Sequence, residues 1–190
     1  FAPTNNGQAH GASNSIVGYK ALANLIEKTG GEVKYTRNKA GHDNPGLLIL
    51  TPNPFSDAQE LADVAHNRSY IGPTLIILPK WNAVPMPTLK QGWVALGGTL
   101  GPEIGQALVE NLADVEITVP EKAKSKSTSK AISVVAQSVN TPSTPVTISG
   151  DHIRTIVREA KSGRALAAYL DDGGDYAQLD SLDPSQITDE

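Results

Sequence analysis

Gly46-Leu47-Leu48-Ile49-Leu50-Thr51-Pro52 sets four consecutive large aliphatics between a glycine and a Thr-Pro stop. Such a strand has no side to offer water. It suits the middle of a parallel sheet with helices above and below, whereas a half-wet strand alternates polar and apolar residues. Leu75-Ile76-Ile77-Leu78, closed by Pro79, is a second run of this kind. Helix signals lie before and between the two runs, which makes parallel pairing the economical arrangement. The expected fold class is therefore α/β, a mostly parallel, flavodoxin-like central sheet flanked by helices, with a more irregular, β-rich later half.

Outward from that stretch, Tyr19, Leu22, Ala23 and Ile26 share one helical face, with Asn14 or Ser15 as N-cap and Gly30-Gly31 as the stop. Residues 1–14 show no periodicity and read as a flexible lead-in to a single domain spanning 15–190. Glu32 to Thr36 alternates, as a strand near the sheet edge does. Ser56 precedes Gln59 at capping-box spacing, and Leu61, Val64 and Ala65 supply the apolar face of a second helix. Lys80 to Pro87, with its prolines and a tryptophan, reads as an extended rim loop. Pro102, Ile104, Leu108 and Leu112 mark a helix running into a strand at Val115 to Val119. Further on, Ala131 to Val139, Pro145 to Ser149 and Ala165 to Leu170 read as strands, and Asp151 to Lys161 as a helix. Asp171 to Asp175 reads as a turn leading into a last strand at Tyr176 to Leu182.

A chain of 190 residues with formal net charge -4 lacks the basic field that grips a phosphate backbone, so no nucleic-acid partner is expected. The absence of cysteine removes disulfides, thiolate metal sites and cysteine nucleophiles together. His10, His42, His66 and His152 have no metal-pair spacing, and neither a metal nor an organic cofactor is expected. Ser127 to Lys130 matches S-x-x-K formally but lies in a Lys/Ser/Thr-rich tract rather than at a helix start. Asp171, Asp172 and Asp175 lack the terminal acid of an EF-hand loop.

Two places retain binding chemistry. Thr51, Asn53, Lys80, Trp81 and Asn82 would meet at the carboxyl ends of the two apolar strands, where open α/β sheets bind ligands. Gly98, Thr99 and Gly101 open a helix whose free N–H groups would attract an anion. Trp81 and Trp93, with Pro85 and Pro87, offer either cover for the core or a protein-contact surface.

Ser15-Ile16-Val17-Gly18-Tyr19-Lys20-Ala21-Leu22, Gly30-Gly31-Glu32-Val33 and Leu47 to Pro52, with Gly163-Arg164-Ala165-Leu166 and Asp172-Gly173-Gly174, together resemble the bacterial family called domain of unknown function 4350. The resemblance implies an α/β sandwich akin to class I glutamine amidotransferases. It places the domain in the bacterial envelope, on the periplasmic or extracytoplasmic side, held by flanking membrane helices. It implies protein partners, a MoxR-type ATPase system among them, and no known activity. Similar proteins continue into a further strand, so the resemblance also implies a piece truncated near Glu190. The amidotransferase chemistry itself needs a cysteine that this chain lacks. The leading functional expectation is a non-catalytic binding or scaffolding domain. The alternative is a hydrolase or small-ligand-binding protein using the crevice beside the apolar strands.

Overall fold

The computed structural model of the chain describes residues 7–36, 38–86, 88, 92–119, 131–134, 137–140, 145–159 and 164–170. Contacts group the chain into two units, Phe1–Leu112 and Ala113–Glu190.

In the first unit, α1 (Lys20–Lys28) is followed by a 3-10 turn (Lys39–Asp43), β1 (Leu48–Leu50), α2 (Ala58–Arg68), β2 (Thr74–Ile76), β3 (Trp81–Pro85), β4 (Val94–Thr99) and α3 (Pro102–Val109). β1 and β2 pair in parallel, Leu48 opposite Thr74 and Leu50 opposite Ile76. The ladder is closed by Leu48 N donating to Pro73 O at 3.0 Å and Ile77 N donating to Leu50 O at 2.9 Å. Local signals built this β-α-β unit. Asp57 caps α2, its carboxylate accepting from Gln59 N and Glu60 N at 2.8 and 3.3 Å, so the cap lies one residue beyond the expected Ser56. Ser56 instead accepts from Asn53 N in the preceding turn. Leu61 and Ala62 of α2, Leu108 and Val109 of α3, and Ala23 of α1 form the buried apolar set of this unit.

In the second unit, β5 (Glu116–Thr118), β6 (Ala131–Val134), β7 (Gln137–Asn140), β8 (Thr147–Ser149), β9 (Ile153–Arg158) and β10 (Ala165–Leu170) form one sheet in the order β5-β8-β10-β9-β6-β7. Every neighbouring pair in it is antiparallel. Val115, Ile117, Thr147 and Ala165 are buried, and the Thr118 and Thr147 hydroxyl oxygens sit 2.9 Å apart across the β5–β8 pair.

This architecture overturns the expected mostly parallel sheet, in both its flavodoxin-like and its amidotransferase-like form. Among the described residues the parallel pairing is one two-stranded pair, and the larger sheet is antiparallel throughout. The helix–strand alternation stops after a single β-α-β unit. The expected rim loop contains β3, which pairs antiparallel with β4. The expected helix at Asp151 to Lys161 contains β9, where Ile153, Thr155, Ile156 and Val157 are β-branched and stiff at χ1, a composition that favours a pleated strand. Glu32 to Thr36 forms no strand; it remains outside regular structure, with an exposed Lys34–Glu32 ion pair of 3.3 Å. α1 begins at Lys20 rather than after Ser15, and Tyr19 occupies its N-cap without a side-chain cap. The opening stretch is also wetter than its composition suggests. Leu48 to Leu50 are half-buried and Leu47 is 55% exposed, because a two-stranded sheet gives each strand one neighbour instead of two. The expected turn at Asp171 to Asp175 and strand at Tyr176 to Leu182 lie outside the described residues. Among the described residues no helix is long and apolar enough to cross a membrane.

Candidate binding surface

Among the described residues, the β3–β4 ribbon carries exposed large apolar side chains on both of its strands. Val84 faces Ala95, Ala83 faces Leu96, and Pro85 faces Val94. Met86 N donates to Trp93 O at 2.9 Å, extending the ladder to the next pair. Alternation along an antiparallel pair therefore puts Val84, Ala95 and Trp93 on one face, with Ala83, Leu96, Pro85 and Val94 on the other. Val84 is 50% exposed, Trp93 54%, Leu96 41% and Trp81 41%. Folding thus leaves two indoles and two branched aliphatics half in water, at an energetic cost that burial under a partner would relieve. The register shifts between Trp81 and Ala83, an irregularity that increases local twist and re-aims a side chain.

Lys80, Trp81 and Asn82 lie together at the start of this ribbon. The Lys80 ammonium stands 5.4 Å from the centroid of the Trp81 ring, within cation–π range. Its partial burial lowers the lysine pKa from the ordinary value by penalising the charged form. Asn82 packs against Gly97 of β4. Asn53 serves its own turn, its Oδ1 accepting from Phe55 N at 2.8 Å and its N–H donating to Ser56 Oγ at 3.0 Å. Thr51 directly follows β1 and is half-buried. Gly98 and Thr99 end β4 rather than forming a loop before a helix, and Gly98 has φ +118°. Gly101 is the N-cap of α3, and the Glu103 carboxylate occupies the space a Cβ there would fill. The positive end of that helix already faces a carboxylate of its own chain.

A cavity of about 560 Å³ lies in the first unit, lined by the 3-10 turn and the solvent side of α2. Its wall includes Asp43, Asp57, Glu60 and Asp63 with Lys39 and His42, and none of the eight residues read from the sequence as candidate sites. Gln59 Nε2 donates to Asp63 Oδ1 at 2.8 Å along this wall. Behind it, Arg68 is 1% exposed. Its Nη1 donates to the carbonyls of His42 and Asn44, and its Nη2 to those of Gly46 and Pro73 at 2.6 and 3.2 Å. One guanidinium thereby ties the end of the 3-10 turn and the chain entering β1 to the residue before β2. Gly72 has no room for a side chain, since the Pro45 carbonyl and Arg68 fill that space. A sequence signal for this clamp existed: Arg68 continues the Leu61, Val64, Ala65 stripe at the next helical turn, an arginine on the face that should be apolar. Among the described residues no group of His, Asp and Glu side chains has the geometry of a metal site.

Comparison with protein-family models, with curated proteins and with solved structures finds no match.

Proposed function

We propose that this chain is a non-catalytic binding or scaffolding module whose contact surface is the β3–β4 ribbon. The observation that carries the reading is the exposure of Trp81, Val84 and Leu96 on two paired strands and of Trp93 at the residue before β4. Indoles anchored on a ribbon lose little side-chain entropy on binding, and Trp is enriched among residues that dominate interface energetics. Edge N–H and C=O groups of a two-stranded ribbon add a second recognition mode, strand addition by an extended partner segment. The family resemblance supplies the setting for the proposal: a domain of a membrane-anchored bacterial envelope protein working beside a MoxR-type ATPase system.

The test compares native-membrane pull-downs with the wild-type chain and with a Trp81→Ser/Trp93→Ser double variant. Both side chains are substantially exposed, so the unfolding midpoint should change little. Capture of the same partner set by both proteins, with folding intact, defeats the reading. Loss of partners from the variant supports it.

The cavity beside α2 favours a second reading, small-ligand binding at an acidic wall. Native mass spectrometry of the purified chain decides it: a retained small organic molecule that is released by Glu60→Gln/Asp63→Asn would move the function there, and a bare spectrum would remove it.

A further inference from the structure

The cavity beside α2 carries charge of both signs in a row along the helix. Glu60, Val64 and Arg68 line it at successive four-residue steps of α2, which sets an acid and a base about 12 Å apart along the axis with an aliphatic between them. Ile71, just past the helix, adds a second apolar side chain, and Lys39 of the 3-10 turn adds a second cation. Glu60 and Lys39 are exposed, and among the described residues neither side chain has a hydrogen bond or an ion pair. Arg68 differs from them. Its Nη atoms are taken up by backbone carbonyls, yet its Nε is buried with no hydrogen-bond partner. Buried donors are nearly always paired. An orphan donor on a residue that lines a cavity points to an acceptor supplied from within it.

We propose that this cavity binds a small zwitterion with an apolar body, a dipeptide of the leucyl-leucine kind, an inference that rests on the small-ligand reading of the cavity. Glu60 holds the ammonium, Lys39 and the Arg68 Nε–H hold the carboxylate, and the hydrocarbon lies on Val64 and Ile71. Each end then makes a charge-assisted hydrogen bond. A plain cation would leave Lys39 and the Arg68 Nε–H without an acceptor, and a plain anion would leave Glu60 without a donor. Length agrees with this choice: two extended residues span about 7 Å, and the Glu60 and Arg68 side chains reach inward over the rest of the row. Volume agrees as well, since about 560 Å³ lies within the roughly 300–1,000 Å³ of small-molecule sites.

Isothermal titration calorimetry of the full chain tests it with three probes: leucyl-leucine, its N-acetylated form and its C-amidated form. The free dipeptide should bind at least tenfold more tightly than either blocked form. Glu60→Gln should bring the dipeptide down to the acetylated probe without weakening that probe, and Lys39→Gln should do the same against the amidated probe. Both side chains are exposed, so the fold should survive either change; if circular dichroism shows otherwise, the three probes on the wild-type chain carry the decision. Amidated and free dipeptides binding equally would make the cavity a cation site, overturning the zwitterion while the small-ligand reading stands. Binding of none of the three also overturns the proposal, and the mass spectrum of the purified chain then decides the broader reading by itself.

Discussion

A single side chain, Arg68, organises the joint between the parallel strands. Its donors satisfy carbonyls from the 3-10 turn, from the approach to β1 and from the residue before β2. Arg68→Met removes all of those donors while leaving the acceptors in place, and the expected loss is at least about 1–3 kcal/mol, the cost of a buried acceptor left without its donor. Lysine at this position keeps the charge but cannot reproduce the fork, so Arg68→Lys should fall between the two. Urea unfolding of the three proteins checks the order; a methionine variant as stable as wild type would remove the clamp from this account. Tyr19 gives a prediction in pH. Its burial raises the phenol pKa above the ordinary 10.0, so between that value and its folded pKa the native state holds more protons than the unfolded state. Stability should therefore fall as pH rises past about 10, and Tyr19→Phe should remove that part of the decline. Thermal melts at several alkaline pH values measure the difference. Lys80 works in the opposite direction: its lowered pKa makes the unfolded state the better proton binder, so its contribution to stability rises with pH toward the ordinary lysine range.

At the level of elements, what could be read depended on whether the signal was local. The α2 helix is legible, apart from its cap, because its apolar stripe of Leu61, Val64 and Ala65 lies within one short segment. Its cap is testable: Asp57→Ala should cost about 1 kcal/mol by freeing the Gln59 and Glu60 amides, and Asp57→Asn, which keeps an acceptor, should cost less. Equal losses from both would argue that packing rather than capping sets the effect. Asp151 and Gly163 punctuate the β9 segment like a helix, while the decisive term is pairing with β10 and β6, which lie on either side of it along the chain. β3 was misread for a related reason. Pro85 and Pro87 argue against a central strand, but a two-stranded ribbon has edges, and an edge tolerates a residue without an N–H. The indoles of this ribbon were visible in the sequence as candidate contact residues, whereas the strand pairing that displays them was not.

For the whole molecule, the lesson is that one correct β-α-β unit does not establish a doubly wound sheet. Thr51 and Asn53 were read beside Lys80, Trp81 and Asn82 because a parallel sheet would align those strand ends. The β1–β2 pair does align those ends, Leu50 opposite Ile76; β1 is followed by a turn that Asn53 itself holds, and Lys80 leads into the ribbon. The cavity escaped the sequence for the complementary reason: its wall joins the turn around His42 to charged positions of α2, residues whose types suggest only a solvated surface. The architecture predicts a far-ultraviolet circular dichroism spectrum with more strand than helix, since the described residues hold ten strands and three α-helices. A helix-dominated spectrum would contradict it. The clamp also has a consequence for how the chain tolerates change. Arg68 binds only main-chain oxygens, so the chemical information for the joint is held at one end of each contact. A deep mutational scan should find position 68 nearly invariant while His42, whose carbonyl it grips, accepts many side chains: one residue is constrained by identity, its partner by the path of its backbone.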